Sequence, residues 1–547
     1  MNKSLFRVFC MIGLLFVAAL SGCARLGAED RFYEYKVPAE KLRNIQSMEP
    51  NQFTVGAGEQ KQAVPPPAQM SISLEQCRAI TLENNLDIQT QLIAPAIAAA
   101  SVGAEEAKFE AAFYANTSFS ATDTPGRQVK ISDGTFIDSP GSQYHNVNSG
   151  AGVQMPLRTG GTLNFGLADN RTHNLAGDPQ FDNSFTFSVS QPLLKNAGRR
   201  VNMHSIRLAR YQQQITDNAT KLEVIRVLAT ADRTYWRLYA ARKELQVRQT
   251  QHDLAIAQLE RAKRLVKAGE QSGVEILRAE AGTARQLAAI ITAENNLRNS
   301  QREFKLVVNK PGLDIETPTI MIPATEADPV HYVFQTQKLI DQAFDNRAEL
   351  LELELRIAED ISRIDYLNNQ MLPLVTVDYT YNVNGTGPTR GDAYDMLGMK
   401  NYESHRMGVS LWVPLGNEAA KNQLRGALYQ KRQRLSTKKS RRQLVKQEVL
   451  NALDQAESNW QQILAGRQNA LLQGRLYEAE IRQFELGLRT STDVLEAQAS
   501  LADAQSAEIK AIADYHISLV DLAYATGTLL GADKIQWNPT VPDVPVK

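Results

Sequence analysis

Two hydrophobic periods alternate along this chain, and each half of it shows both. Phe113, Ala115, Thr117, Phe119 and Ala121 stand at every second position, with polar or small neighbours between them. Val147, Ala151, Val153 and Met155 keep that spacing, as do Leu163, Phe165 and Leu167, then Phe185, Phe187 and Val189. A period of two is the signature of a strand with one buried face. The first half thus carries four candidate strands, and the second carries two: Val375 to Val383, and Met407 to Val413. Elsewhere the period is helical. It predicts a helix from about Ser73 to Phe109, broken or kinked near Pro95, a long helix over Val201 to Lys267, and a shorter one over Ser272 to Val308. In the second half it predicts a helix to about Leu372, a long helix to Phe484 and a last one to about Leu530.

Two stretches are written twice. Gly269, Ser272, Glu275 and Leu277 recur 218 residues later as Gly487, Thr490, Asp493 and Leu495. Each copy reads as a glycine that ends one helix followed by a capping signature that begins the next, a hydroxyl with a carboxylate three residues on. Both look like the tip of a helical hairpin. Beyond the tip, Leu277, Ala281, Ala284, Ala288 and Ile291 form a small-residue seam, repeated by Leu495, Ala499, Ala502, Ser506 and Ile509. Thr81 to Ile88 is echoed by Ala343 to Leu350 at an offset of 262. An internal duplication of this kind must be explained by any functional reading.

Length fixes how the halves are built. Sixty-seven residues from Val201 to Lys267 span roughly 100 Å as helix, while Ser272 to Val308 spans about 55 Å. Ser73 to Phe109 adds about 55 Å more. Each long helix is therefore matched by two shorter ones in series, with Pro311 to Pro329 as a non-helical connector at the joint. The expected arrangement is a tall cylinder. Among the strand connections, Pro156 to Gly161 is a tight turn, whereas Asp123 to Asn146 and Asp169 to Asn183 read as long polar loops. Short turns on one side and long loops on the other suit a membrane β-barrel, although a soluble sandwich alternates too.

Composition adds an address and removes several function classes. Lys3 and Arg7 precede the apolar run Val8 to Leu20, too short for a membrane span but right for a signal segment. Leu20, Ser21, Gly22 and Cys23 resemble a bacterial lipobox, with Cys23 as the lipidated residue; an ordinary signal cleavage leaving Cys23 unmodified is the alternative. Ala24 follows instead of the aspartate associated with inner-membrane retention. The formal net charge is zero, which gives no support for nucleic-acid binding. Of three cysteines, Cys10 lies in the signal segment and Cys77 in a helical stretch where a buried thiol is expected. The seven histidines show no metal spacing, and no phosphate-loop or catalytic signature emerges. No enzyme activity, cofactor or metal is expected.

The duplicated order of helix, strands, long helix, tip and helix resembles the TolC family of outer-membrane efflux and secretion channels. The match runs from about Ser71 to Leu530, and Gly487 to Ala497 is its most specific part. The resemblance implies an α+β membrane protein. Its duplicated coiled-coil hairpins form a trimeric periplasmic α-barrel, continued by an antiparallel transmembrane β-barrel. It implies a homotrimer docked on a periplasmic adaptor and an inner-membrane pump, set in outer-membrane lipid and exporting small molecules or proteins. The corresponding domains are a signal peptide over 1–22, a lipid-anchored tether over 23–70, and a first repeat over 71–310. A connector over 311–335, a second repeat over 336–531 and a tail over 532–547 follow.

The same resemblance assigns roles at the tip. Asp493 and Glu496 match acidic residues that ring the narrowest point of the closed tunnel, where three copies of each favour cations and raise carboxylate pKa values. Asp493 can equally be a plain capping carboxylate and Glu496 a solvated helix residue. Arg489 matches an arginine that ties one tip to its neighbour, with Glu275 as the expected acceptor. Gly269, Ser272, Gly487, Leu488 and Thr490 are the expected tip and adaptor contacts. Phe484 stands where the family often has tyrosine, which argues against a hydroxyl latch there. The family pattern has two strands per half. Six candidates here give eighteen in a trimer, or else Val147 to Ala168 lies outside the wall or caps its mouth. The competing reading is an envelope lipoprotein whose coiled coils form a scaffold without a pore.

Overall fold

Both halves run from short helices through strands to a long helix, a tip and a shorter helix in the computed structural model. The first contains β1 (Gln69–Ile72), α1 (Leu74–Asn84), α2 (Leu86–Gln91), α3 (Ile93–Ala107) and β2 (Ala112–Thr124). A small hairpin follows, β3 (Arg127–Lys130) and β4 (Phe136–Ser139), then β5 (Ser142–Pro156), β6 (Thr162–Asn174) and β7 (Pro179–Pro192). The short α4 (Arg199–Asn202) leads into α5 (His204–Lys267) and α6 (Val274–Val308). The second half contains β8 (Ile320–Pro323), α7 (Thr336–Asn346), α8 (Ala348–Gln370), β9 (Leu374–Gly387), α9 (Arg390–Met399) and β10 (Glu403–Trp412). It ends with α10 (Glu418–Glu485), α11 (Ser491–Ala525) and the short α12 (Leu529–Ala532). The structure describes residues 68–533 apart from 131–133, 140, 175–176 and 271, all within the unit that starts at Pro67. Cys23, the signal segment and most of the tether lie outside the described residues, as does most of the tail.

The helices follow the expected plan. α5 has 64 residues and α10 has 68, while α6 and α11 have 35 each. α5 packs on α6 and, nearer the sheet, on α1 to α3; α10 packs on α11 and, nearer the sheet, on α7 and α8. Apolar side chains concentrate where the shorter helices meet. Tyr235, Leu238, Phe304, Val308 and Met321 surround Cys77 at the joint of the first half. Each such fully buried side chain contributes about 1.5–3 kcal/mol relative to exposure. Burial, with Asp232 nearby, pushes the Cys77 thiol up to about 12, so this is an inert core residue.

The predicted helix over Ser73 to Phe109 is three helices, and its breaks fall at Asn85 and Leu92, not at Pro95. Pro95 sits in the first turn of α3, where a missing N–H disturbs nothing. Asn85 is extended (ψ 127°) because its side chain does two jobs. Its Oδ1 accepts the amides of Asp87 (3.0 Å) and Ile88 (3.1 Å), and its Nδ2 donates to the Val307 carbonyl (2.8 Å). Arg347, 262 residues on, makes the same break with ψ 120°, and its guanidinium donates to the Ala525 carbonyl (3.1 Å). Val307 and Ala525 are themselves 218 apart. The duplication thus reaches the joints as well as the tips. The connector is not wholly irregular, since β8 pairs in parallel with β1, which closes the end of the tether.

The six predicted strands form one antiparallel sheet in the order β10-β9-β7-β6-β5-β2. Its register lines up the apolar positions. Phe113, Val153, Phe165, Phe187 and Tyr381 fall in one row, and Ala115, Ala151, Leu167, Phe185 and Val383 in another. The opposite face carries Asn116, Gly150, Ala168, Ser184 and Asn384 in a comparable row. The expected long loop over Asp169 to Asn183 is mostly strand, because β6 runs to Asn174 and β7 starts at Pro179. Similarly, β2 and β5 extend into the polar stretch between Asp123 and Asn146. A ladder needs only backbone N–H and C=O, so it continues past the last apolar side chain. α9 lies against β9 and β7 at the ends away from the helices, held by Arg390 to Asp169 at 2.9 Å.

The repeated seam is not used equally. On α11, Leu495 and Ala502 are buried and the seam faces α5 within the chain. On α6, Leu277, Ala281, Ala284, Ala288 and Ile291 are all exposed.

Candidate gate at the helical tips

Both tips begin with the same helix stop. Gly269 (φ 76°) and Gly487 (φ 74°) take the left-handed conformation that glycine adopts without steric cost. Their amides donate to Val266 and Phe484, and the following residues, Glu270 and Leu488, donate to Leu265 and Gln483, at 3.0 Å in all four cases. This double bond is the Schellman closure. Leu488 is left 72% exposed beside Leu486 at 74%, an apolar point at the end of the second hairpin.

The helix starts differ. Thr490 and Asp493 form the expected capping box: Thr490 Oγ1 accepts the Asp493 amide (3.4 Å), and Asp493 Oδ2 accepts the Thr490 amide (2.9 Å). The first copy does not form one. α6 begins after Gly273, and Ser272 Oγ reaches only the Val274 amide at 3.4 Å. Glu275 is instead turned to the other tip. Its Oε2 accepts the amide of Ser491, the first residue of α11, at 3.2 Å, and Arg278 holds its Oε1 at 2.6 Å. One copy of the repeat therefore caps the helix of the other. Arg261 completes the tie, 3.0 Å from Glu485 and over the ring of Phe484. Close packing supports it: a Cβ on Gly282 would stand 2.7 Å from Leu495 Cδ1.

The expected Arg489–Glu275 pair is not formed within the chain. Arg489 Nε donates to Gln483 Oε1 (3.0 Å) and lies 3.2 Å from Glu480. Arg278, one turn from Glu275, is the nearer cation and takes its place. Within the chain, Asp493 is surrounded by donors and cations. The Thr490 amide, then its hydroxyl, with Arg489 and Arg278 nearby, hold this carboxyl below the usual carboxylate range. Glu496 is exposed on α11. Phe484 is buried, so its site offers an apolar contact and no hydroxyl. Sequence reasoning missed Arg261, Arg278 and Glu480; the charges were visible, their partners were not. Among the described residues, no group of three His, Cys, Asp or Glu side chains could hold a metal ion, and no helix is long and apolar enough to cross a membrane.

Residues 339–528, from α7 through the second tip to the end of α11, match the family model described as outer membrane efflux protein. Over those residues the chain is similar to this family. Over 318 residues it is 26% identical to outer membrane protein TolC of Vibrio cholerae, covering 56% of this chain and 68% of that one. It is 22% identical over 338 residues to TolC of Escherichia coli K12, covering 60% and 66%. The fold is similar to the Campylobacter jejuni CmeC outer membrane channel, with TM-score 0.60 at 14% identity over 83% of this chain and 86% of that one. It is also similar to the open Neisseria gonorrhoeae MtrE outer membrane channel, with TM-score 0.58 at 16% identity over 83% and 89%. Each of these relatives and neighbours is named as an outer membrane protein or channel.

Proposed function

We propose that the protein is the outer-membrane channel component of an efflux pump, and that it works as a homotrimer gated at its helical tips. The observation that carries the channel reading is the six-stranded sheet, whose apolar positions fall in register on one face while glycine, serine and asparagine fall on the other. That division suits a wall with lipid on one side and water on the other. A scaffold lipoprotein has no use for it. The trimer is supported by the unequal seams. The α11 seam is satisfied by α5 of the same chain, and its exposed counterpart on α6 matches the equivalent helix, α10, of a neighbouring chain.

The tip contacts support a gate. Glu275 to Ser491 and Arg261 to Glu485 hold the two hairpins of one chain together, while Arg489 and Asp493 sit at the exposed end. Exposed ion pairs are worth roughly 0–1 kcal/mol, so an adaptor seated on Leu486, Leu488 and the neighbouring turns can open the tips at little cost. The partners are a periplasmic adaptor, an inner-membrane pump and outer-membrane lipid, with Cys23 as the lipid anchor. Cargo is small molecules or, in a secretion system, proteins. The purified protein in a planar lipid bilayer should give discrete, uniform conductance steps. Membrane association without any such step supports the scaffold instead.

A further inference from the structure

We infer that the membrane wall of this channel contains eighteen strands, six from each chain, closed where β2 of one copy pairs with β10 of the next. This rests on the trimeric channel reading and concerns how that trimer closes. A transmembrane strand needs about 9–11 residues. The strands β2, β5, β6, β7, β9 and β10 have 13, 15, 13, 14, 14 and 10. β5 and β6 are no flap beside the wall. β5 is paired on both sides, with Ala112 to Thr124 and with Thr162 to Asn174, and β6 on both sides with β5 and β7. Their outward residues continue the apolar rows without a gap.

The register also supplies the tilt that closure requires. The row through Phe113, Val153, Phe165, Phe187, Tyr381 and His405 starts one residue from the helix-side end of β2 and finishes seven residues from that end of β10. With those ends level, it climbs six residues over five strand spacings. At 3.4 Å per residue and 4.8 Å between strands this is a tilt of about 40°, within the range of closed membrane barrels.

Two edges remain. On β2, Phe113 and Phe119 are 72% and 60% exposed, and on β10, Met407, Val409 and Leu411 are 75%, 68% and 67% exposed. Unpaired backbone cannot face lipid, and six strands are fewer than the eight of the smallest such barrels. The edges must find each other in another copy. β2 leaves the helices and β10 returns to them, so they meet antiparallel like every other neighbouring pair in the sheet. Circumference agrees. Eighteen strands tilted by 40° measure about 110 Å around, against about 75 Å for twelve. Three chains, each contributing α5, α10 and the two columns of shorter helices, form a ring of twelve helix columns, and at 9–10 Å each this is also about 110–120 Å. The bore in the membrane is then as wide as the helical tunnel beneath it.

In a Cys77→Ala background, Met407→Cys combined with Thr117→Cys or Phe119→Cys should give disulfide-linked trimers on oxidation of the native protein, with one register linking far better than the other. A cryo-electron microscopy reconstruction of the wild-type trimer in nanodiscs should count eighteen strands. Twelve strands in a conducting trimer overturns this inference and leaves the channel reading intact. A protein that forms neither trimers nor pores overturns the channel reading itself.

Discussion

Glu275 Oε2 accepts the backbone amide of Ser491 at 3.2 Å, so a carboxylate from the first copy of the repeat caps the helix that begins in the second. The contact ties α6 to α11 where both must move if the tip opens. Removing it in Glu275→Ala should cost the first turn of α11 about 1 kcal/mol, the usual value of a lost cap. Amide exchange at Ser491 to Val494 should then quicken roughly fivefold. Exchange equal to wild type would mean that water caps this helix equally well.

Asp493 has a depressed carboxyl pKa, held down first by the Thr490 amide. A group whose folded pKa lies below its unfolded value of about 3.9 stabilises the fold above that value and loses the contribution as pH falls through the folded pKa. The tip therefore keeps this negative charge throughout pH 5–8. Cation preference measured by reversal potential should be constant over that range and weaker in Asp493→Asn at every pH in it. A preference that titrates near pH 6 points to another group.

Arg347 stands at a joint with its guanidinium on the Ala525 carbonyl, and it also pairs with Glu349 (3.0 Å) and Glu448. Arg347→Ala leaves the Ala525 carbonyl without this donor and leaves Glu349 and Glu448 with Arg441 as their remaining cation, and should destabilise the protein by about 2 kcal/mol. Asn85→Ala, at the equivalent joint, loses only neutral bonds and should cost about 1 kcal/mol. Thermal unfolding in detergent gives the comparison; equal losses would contradict the charge argument.

Gly152 marks a place where two strands of the sheet and a tyrosine meet closely. A Cβ there would lie 2.4 Å from the Phe165 carbonyl oxygen and 2.5 Å from Tyr114 Oη. Gly152→Val should sharply lower the yield of heat-resistant trimer, whereas Gly177→Val, in the turn between β6 and β7 with open space around it, should not.

Much of this architecture is legible in the sequence because it rests on local rules. Gly269 and Gly487 stop helices by backbone conformation alone, and the alternation from Val375 to Val383 needs only one apolar face. Strand ends are hidden, since β6 continues through Asp169, Asn170 and Thr172 where no hydrophobic period remains. Long-range partners are hidden too. Nothing near Glu275 announces Ser491, 216 residues away, and nothing near Asn85 announces Val307. The offset of 218 predicts the same cap in both tips, but α6 starts one residue later, with Gly273 where α11 has Ser491, and Glu275 takes another partner.

A channel closed at its tips should conduct differently when the charge of Arg489 is reversed. Arg489→Glu replaces the cation that lies 3.2 Å from the largely buried Glu480 with a like charge. Single-channel conductance of the reconstituted trimer should rise several-fold in Arg489→Glu and return toward wild type when Glu480→Arg is added. Conductance unchanged in Arg489→Glu would contradict a gate at the tips.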